Sequence, residues 1–139
     1  AVYMTLDHTL VKNTGEGTLK GFVRWDYTGL SDRNQIAASL DAGIVLVDPF
    51  HRQGDSLGLG FGYAAPGRYV TAQRPDGSSK SLVNEYHIEL TYTWQALSWL
   101  SVQPDMQGLI NPSGGVYDTI SGRKVQDALI FGLHLGMSL

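Results

Sequence analysis

The chain has 139 residues, 10 Lys and Arg against 13 Asp and Glu, a formal net charge of -3 and no cysteine. That balance excludes a basic nucleic-acid footprint and a charge-driven disordered tail, and the lack of cysteine excludes a disulfide scaffold and Cys-ligated zinc or iron–sulfur sites. At 42% hydrophobic, with no run of about 18 apolar residues, one modest domain over 1–139 is expected and a transmembrane helix is not. The first residue is not Met and no signal peptide opens the chain, so a cut start is expected, by processing or as part of a longer protein.

Two-residue alternation runs through nearly the whole sequence, and on a strand such sets point to opposite faces. From Ala1 to Val11, Val2, Met4 and Leu6 oppose Tyr3, Thr5 and Asp7. From Leu19 to Tyr27, Val23, Trp25 and Tyr27 oppose Lys20, Arg24 and Asp26, with Phe22 an exception on the polar side. The segment from Gln35 to Val47 has Ile36, Leu40, Ile44 and Leu46 on one face but Val45 and Val47 on the other. From Ser56 to Ala64, Leu57, Leu59, Phe61 and Tyr63 alternate with Ser56, Gly58, Gly60, Gly62 and Ala64.

From Glu85 to Gln95, Tyr86, Ile88, Leu90, Tyr92 and Trp94 oppose Glu85, His87, Glu89, Thr91, Thr93 and Gln95. From Leu100 to Ile110, Leu100, Val102, Met106 and Ile110 oppose Ser101, Gln103, Asp105 and Gln107, and Pro104 on the apolar parity predicts locally irregular pairing, as does Gly108. The last strand, to Leu139, sets Leu129, Phe131, Leu133, Leu135, Met137 and Leu139 against Ala128, Ile130, Gly132, His134, Gly136 and Ser138. Seven strands at about 20 residues each give an all-β, antiparallel protein. The connections 12–17, 29–34, 48–54 and 95–98 are short, while 67–82 and 111–126 are long and rich in Gly, Ser and Pro.

Alternation cannot by itself say which face is wet. Aromatics near the stripe ends (Tyr86, Tyr92, Trp94, Trp25, Tyr27), charge-free stripes of about ten residues and mostly alternating loop lengths all favour a transmembrane β-barrel. With the C-terminus at the periplasmic rim, the long loops lie outside and the turns at 48–54 and 95–98 inside the periplasm. The polar parity carries Arg24, Asp41, Glu85, His87, Glu89, Gln103 and Asp105, with Asp26, Gln107 and His134 on the same side. Such a face needs water, and seven closed strands leave no room for it. These strands are therefore expected to be the C-terminal part of a larger, channel-sized barrel.

The segments FVRWDYTG (22–29), DAGIVLVDPFHRQGDSLGLGFGYA (41–64), EYHIELTYTWQALSWLSVQPDMQGLINPSGG (85–115) and DALIFGLHLGMSL (127–139) resemble the carbohydrate-selective porins of the OprB type. The resemblance runs from about Tyr3 to the end and is sharpest in LSVQPDMQGLINPSGG and GDSLGLGFGYA. It implies a monomeric bacterial outer-membrane barrel of about sixteen strands that passes small sugars, sits in outer-membrane lipid and is inserted by the barrel-assembly machinery, with no cofactor. Two positions depart from the family pattern: Leu139 stands where such barrels end in Phe or Trp, and His134 where the family typically has Arg.

For sugar passage, Arg24, Glu85, Glu89, Gln103, Asp105 and Gln107 are the groups expected to replace part of the hydroxyls' hydration; Arg24 matches the family's FxR segment and is expected to be a lumen cation near the constriction. Other readings stand beside this one. A small soluble β-barrel could hold an apolar ligand inside. Gly54-Asp55-Ser56-Leu57 spells the nucleophile block of GDSL hydrolases, but the only Asp-x-x-His, Asp48 to His51, lies upstream in a turn. Gly58, Gly60 and Gly62 only faintly resemble a dinucleotide loop, and on an inner barrel wall they leave room for a loop or the solute path. His87 and Glu89 share a face but lack an identifiable third metal ligand. A lipid-face hydrolase would need its histidine on the greasy side, and both His87 and His134 are on the polar one.

Overall fold

The computed structural model describes residues 1–12, 17–30 and 32–138 of the protein. Seven long strands form one antiparallel meander: β1 (Val2–Val11), β2 (Thr18–Tyr27), β3 (Ile36–Val47), β4 (Ser56–Pro66), β7 (Glu85–Leu97), β8 (Leu100–Ile110) and β9 (Ala128–Met137). A small separate hairpin, β5 (Thr71–Gln73) with β6 (Ser79–Ser81), stands in the connection between β4 and β7. The sheet order is β1-β2-β3-β4-β7-β8-β9, and it does not close on itself. Leu139 and most of the connection between β1 and β2 lie outside the described residues.

Each expected strand is present, because each alternating segment can put its apolar side chains on one face only in extended backbone. Register keeps the two parities separate across the sheet: Trp25 lies opposite Leu40, Leu40 opposite Tyr63, Tyr63 opposite Tyr86 and Tyr86 opposite Ile110. No Asp, Glu, Lys or Arg stands on that apolar face of the seven strands. Its aromatics gather near the strand ends, where Trp25 stacks on Tyr27 at 6.2 Å and Tyr63 meets Tyr86 at 5.4 Å between ring centroids.

This apolar face is uncovered. Ala72 is the one buried hydrophobic residue among those described, whereas Phe131 and Leu133 are 72% and 65% exposed. The polar face is the more enclosed one. On β8, Asp105 is buried and Gln103, Gln107 and Leu109 half-buried, while Pro104, Met106 and Ile110 are exposed. On β7, Glu85, His87 and Glu89 are half-buried and Ile88 and Leu90 exposed.

The connections alternate between two rims. One rim carries 48–55 and the two-residue turn Ser98–Trp99, tighter than the expected 95–98 because β7 continues to Leu97. The other carries 28–35, 67–84 and 111–127. At Pro104 the β7–β8 ladder runs from Thr91–Asp105 to Trp94–Val102 without a change of register, and the shift lies at the end of the pair, between Gln95 and Leu97. Proline has no N–H to give to a ladder. At Gly108 pairing is unbroken.

Within 67–82, read from sequence as plain loop, the β5–β6 hairpin turns through Arg74-Pro75-Asp76-Gly77. Gly77 has φ 79°, and its N–H donates to the Arg74 carbonyl at 3.0 Å. The signal was available, since Pro-Asp-Gly is a turn sequence with a mechanism. Asp76 accepts from Ser78 Oγ at 2.6 Å and from Ser78 N–H at 2.9 Å, which holds its carboxyl below the usual range.

At the opposite rim, the turn between β3 and β4 is locked by Asp55, which is 1% exposed. Its carboxylate accepts from Arg52 Nε at 2.6 Å, the Tyr92 hydroxyl at 2.6 Å and the Gln95 N–H at 2.8 Å. Burial pushes the Asp55 carboxyl up, but the bonds from Tyr92, Arg52 and Gln95, with the Arg52 charge, outweigh it and hold it below its ordinary value. The same carboxylate raises Arg52 above its already high value.

Candidate functional site

The groups that carry chemistry are spread over the polar face of the sheet, and the ladder fixes which of them meet. Arg24 on β2 lies opposite Asp41 on β3, Asp41 opposite Gly62 on β4, and Gly62 opposite His87 on β7. A Cβ at Gly62 would sit 3.2 Å from Asp41 Oδ1 and 3.4 Å from His87 Cβ, so the two side chains flank a bare backbone position. Asp26, two rungs toward the long-loop rim, takes a hydrogen bond from Ser39 Oγ. Glu85 stands at that rim and accepts from the Ser113 N–H, tying the 111–127 connection to the polar face.

Glu89 lies opposite Gln107 and accepts from Thr91 Oγ1 at 2.8 Å; His87 Nε2 stands 3.7 Å from Glu89 Oε2 and has no hydrogen-bond partner. Asp105 lies opposite Thr91 on one side and Gly132 on the other. It is 7% exposed, and Gly132 makes the slot for it, because a Cβ there would collide with the carboxylate. Gln107 Nε2 donates to Asp105 Oδ1 at 2.9 Å, and His134 Nε2 stands 3.8 Å from Oδ2. Gln103 lies opposite His134.

All ten residues singled out from the sequence thus stand on one face, in two groups. Arg24, Asp26, Asp41, Glu85 and His87 surround the rungs nearest the long loops; Glu89, Gln103, Asp105, Gln107 and His134 lie toward β8 and β9. Arg24 and Asp105 are four strands apart, about 19 Å at the usual strand spacing. One further residue joins them. Phe22, the exception to the alternation, lies on the polar face with its ring over Gly43, where a Cβ would come within 2.7 Å of the ring. Arg24 Cζ is 5.2 Å from the centre of that ring. Its signal in the sequence was the break in parity, which marked it as the aromatic not needed by the apolar stripe.

Two cavities floor this face along β4. One, about 300 Å³, is lined by Ser39, Asp41, Gly62, Glu85, His87 and Gln107 among others. The next, about 280 Å³, is lined by Phe22, Val45, Gly58, Gly60, Glu89 and Thr91 among others. Fixed donors and acceptors arranged along a wet wall are the chemistry by which a pore replaces part of a solute's hydration.

The family model of the carbohydrate-selective porins, OprB family, matches residues 1–139. The chain belongs to the OprB family. Comparison with curated proteins and with solved structures gives no match. OprB porins are outer-membrane β-barrels that select carbohydrates, and this OprB chain supplies an antiparallel, all-β sheet of that kind. The soluble-barrel alternative falls with that membership. The family forms channels, and in this OprB chain the Asp55 of the GDSL-like block spends its carboxylate on Arg52, Tyr92 and Gln95, while Ser56 begins β4 opposite Thr93. Among the described residues no group of three or more His, Asp or Glu is placed to hold a metal ion.

Proposed function

We propose that this chain is the C-terminal part of the wall of a bacterial outer-membrane barrel of about sixteen strands, through which small sugars diffuse passively. The polar face lines the water-filled lumen and the apolar face meets lipid. The observation that carries the reading is the separation of the two faces, with every Asp, Glu, Lys and Arg of the seven long strands on the polar side and none on the exposed apolar side. Among the described residues β1 and β9 each pair on one edge only. In hydrocarbon an unpaired edge would leave a row of N–H and C=O groups unsatisfied, so further strands of the same protein complete the wall.

Arg24, Asp26, Asp41, Glu85, His87, Glu89, Gln103, Asp105, Gln107 and His134 form the solute path, offering acceptors and donors to sugar hydroxyls. The complete protein acts as a monomer and depends on the barrel-assembly machinery for insertion. Liposome swelling with the complete porin tests the function: neutral mono- and disaccharides are expected to enter at rates falling with size. Vesicles carrying folded porin that swell no faster than empty ones would overturn it.

A further inference from the structure

The two longest connections, 67–84 and 111–127, each fold back on themselves as a hairpin. In the first, β5 pairs with β6 across the turn at Arg74-Pro75-Asp76-Gly77. In the second, the Val125 N–H donates to the Val116 carbonyl at 2.9 Å and the Asp118 N–H to the Arg123 carbonyl at 2.8 Å, with Tyr117 paired to Lys124 between them. The two hairpins meet at both ends. At the base, the Val83 N–H donates to the Gly114 carbonyl at 3.0 Å, and a Cβ at Gly114 would stand 2.9 Å from Leu82 Cβ. At the tip, a Cβ at Gly122 would stand 3.2 Å from Pro75 Cγ. Both close approaches fall on glycines with positive φ, 75° at Gly114 and 67° at Gly122. Ala72, the one buried hydrophobic residue among those described, belongs to the first hairpin.

The pair leans over one side of the sheet. The Ser113 N–H donates to the carboxylate of Glu85, which stands on the polar face. A cavity of about 430 Å³ lies where the hairpin bases meet the strand ends, with Val70, Leu82, Ser113 and Val116 on one side and Ala64 and Glu85 on the other. Ala64 and Glu85 also line the 300 Å³ cavity of the polar face, so the two spaces adjoin beneath the hairpins. Resting on the porin reading above, we infer that the two connections form one preassembled cap that overhangs the polar face and sets the size limit at the outer mouth. Backbone bonds within each hairpin, a bond between their bases and a buried residue oppose the local opening that a solvated loop undergoes freely.

The test uses the complete porin, carrying no other cysteine, in planar bilayers and in liposomes. A Cβ at 122 would stand 3.6 Å from Pro75 Cβ, a separation that suits a disulfide. In Pro75→Cys/Gly122→Cys, mild oxidation is expected to abolish thiol labelling while the single-channel current keeps its reduced-state value, because the bond locks a contact already made. Gly114→Val drives the bases apart and is expected to raise the rate of raffinose entry relative to glucose. Thiols that stay free after oxidation, or a current that changes as the bond forms, overturn the cap. So does a raffinose-to-glucose ratio in folded Gly114→Val porin equal to that of the unaltered protein. The oxidation result decides the matter even where Gly114→Val does not insert. Liposomes that exclude glucose although they carry the folded, unaltered porin overturn the porin reading itself, whatever the thiols report about the packing of the hairpins.

Discussion

At the level of single residues, the same amino acid carries opposite instructions at different rungs. Gly43 sits beneath Phe22 and beside the Leu59 carbonyl, 2.9 Å from where a Cβ would stand, whereas the space over Gly60 is open. Gly43→Ala is therefore expected to cost about 1–3 kcal/mol in urea unfolding of the lipid-reconstituted barrel. Gly60→Ala is expected to be neutral or stabilising by up to about 1 kcal/mol, as removal of strand glycine entropy allows. Asp55 makes a second residue-scale case. Its carboxyl is held below the unfolded value, so its contribution is complete above about pH 4 and is lost as pH falls through the lower folded value. Asp55→Ala removes the acceptor of three hydrogen bonds and is expected to lose about 2–3 kcal/mol at pH 7. The gap between variant and unaltered protein should shrink below about pH 4 when both are unfolded in urea across a pH series.

At the level of elements, β9 offers the sharpest contrast, since adjacent residues face opposite media. Leu133→Arg places a charge on the apolar face and is expected to cost about 2–4 kcal/mol near the bilayer midplane. His134→Arg, one residue on, adds its charge to the polar face beside Asp105 and is expected to insert normally. The shift between folded and heat-unfolded bands on gels after refolding into vesicles checks both; equal insertion of the two variants would mean the faces are misassigned. The seven long strands were legible in the sequence because alternation over ten or more residues leaves a strand no second way to satisfy its apolar set. The β5–β6 hairpin was not read out, since three-residue strands carry no period and only Pro75-Asp76-Gly77 announced them. Which polar groups touch was also beyond the sequence. That Asp105 meets His134 and Glu89 meets Gln107 depends on register, which the ladder sets between segments far apart in the chain. Phe22 was visible only as a break in pattern; its place over Gly43 needed the β2–β3 pairing.

At the level of the whole molecule, an open seven-stranded sheet with an uncovered apolar face and a crowded polar one is a wall rather than a core. Membership of the OprB family gives that wall its context, and the proposed lumen follows from which face carries the charges. The most direct measurement of this account exploits the absence of cysteine from the chain. Single cysteines would be placed in turn at 85, 86, 87, 88, 89 and 90 of the complete porin, and each exposed in vesicles to a charged, membrane-impermeant thiol reagent while ion current is recorded. The account predicts labelling and current reduction at 85, 87 and 89, and protection without current change at 86, 88 and 90. Labelling with the opposite parity, or with none, would contradict it.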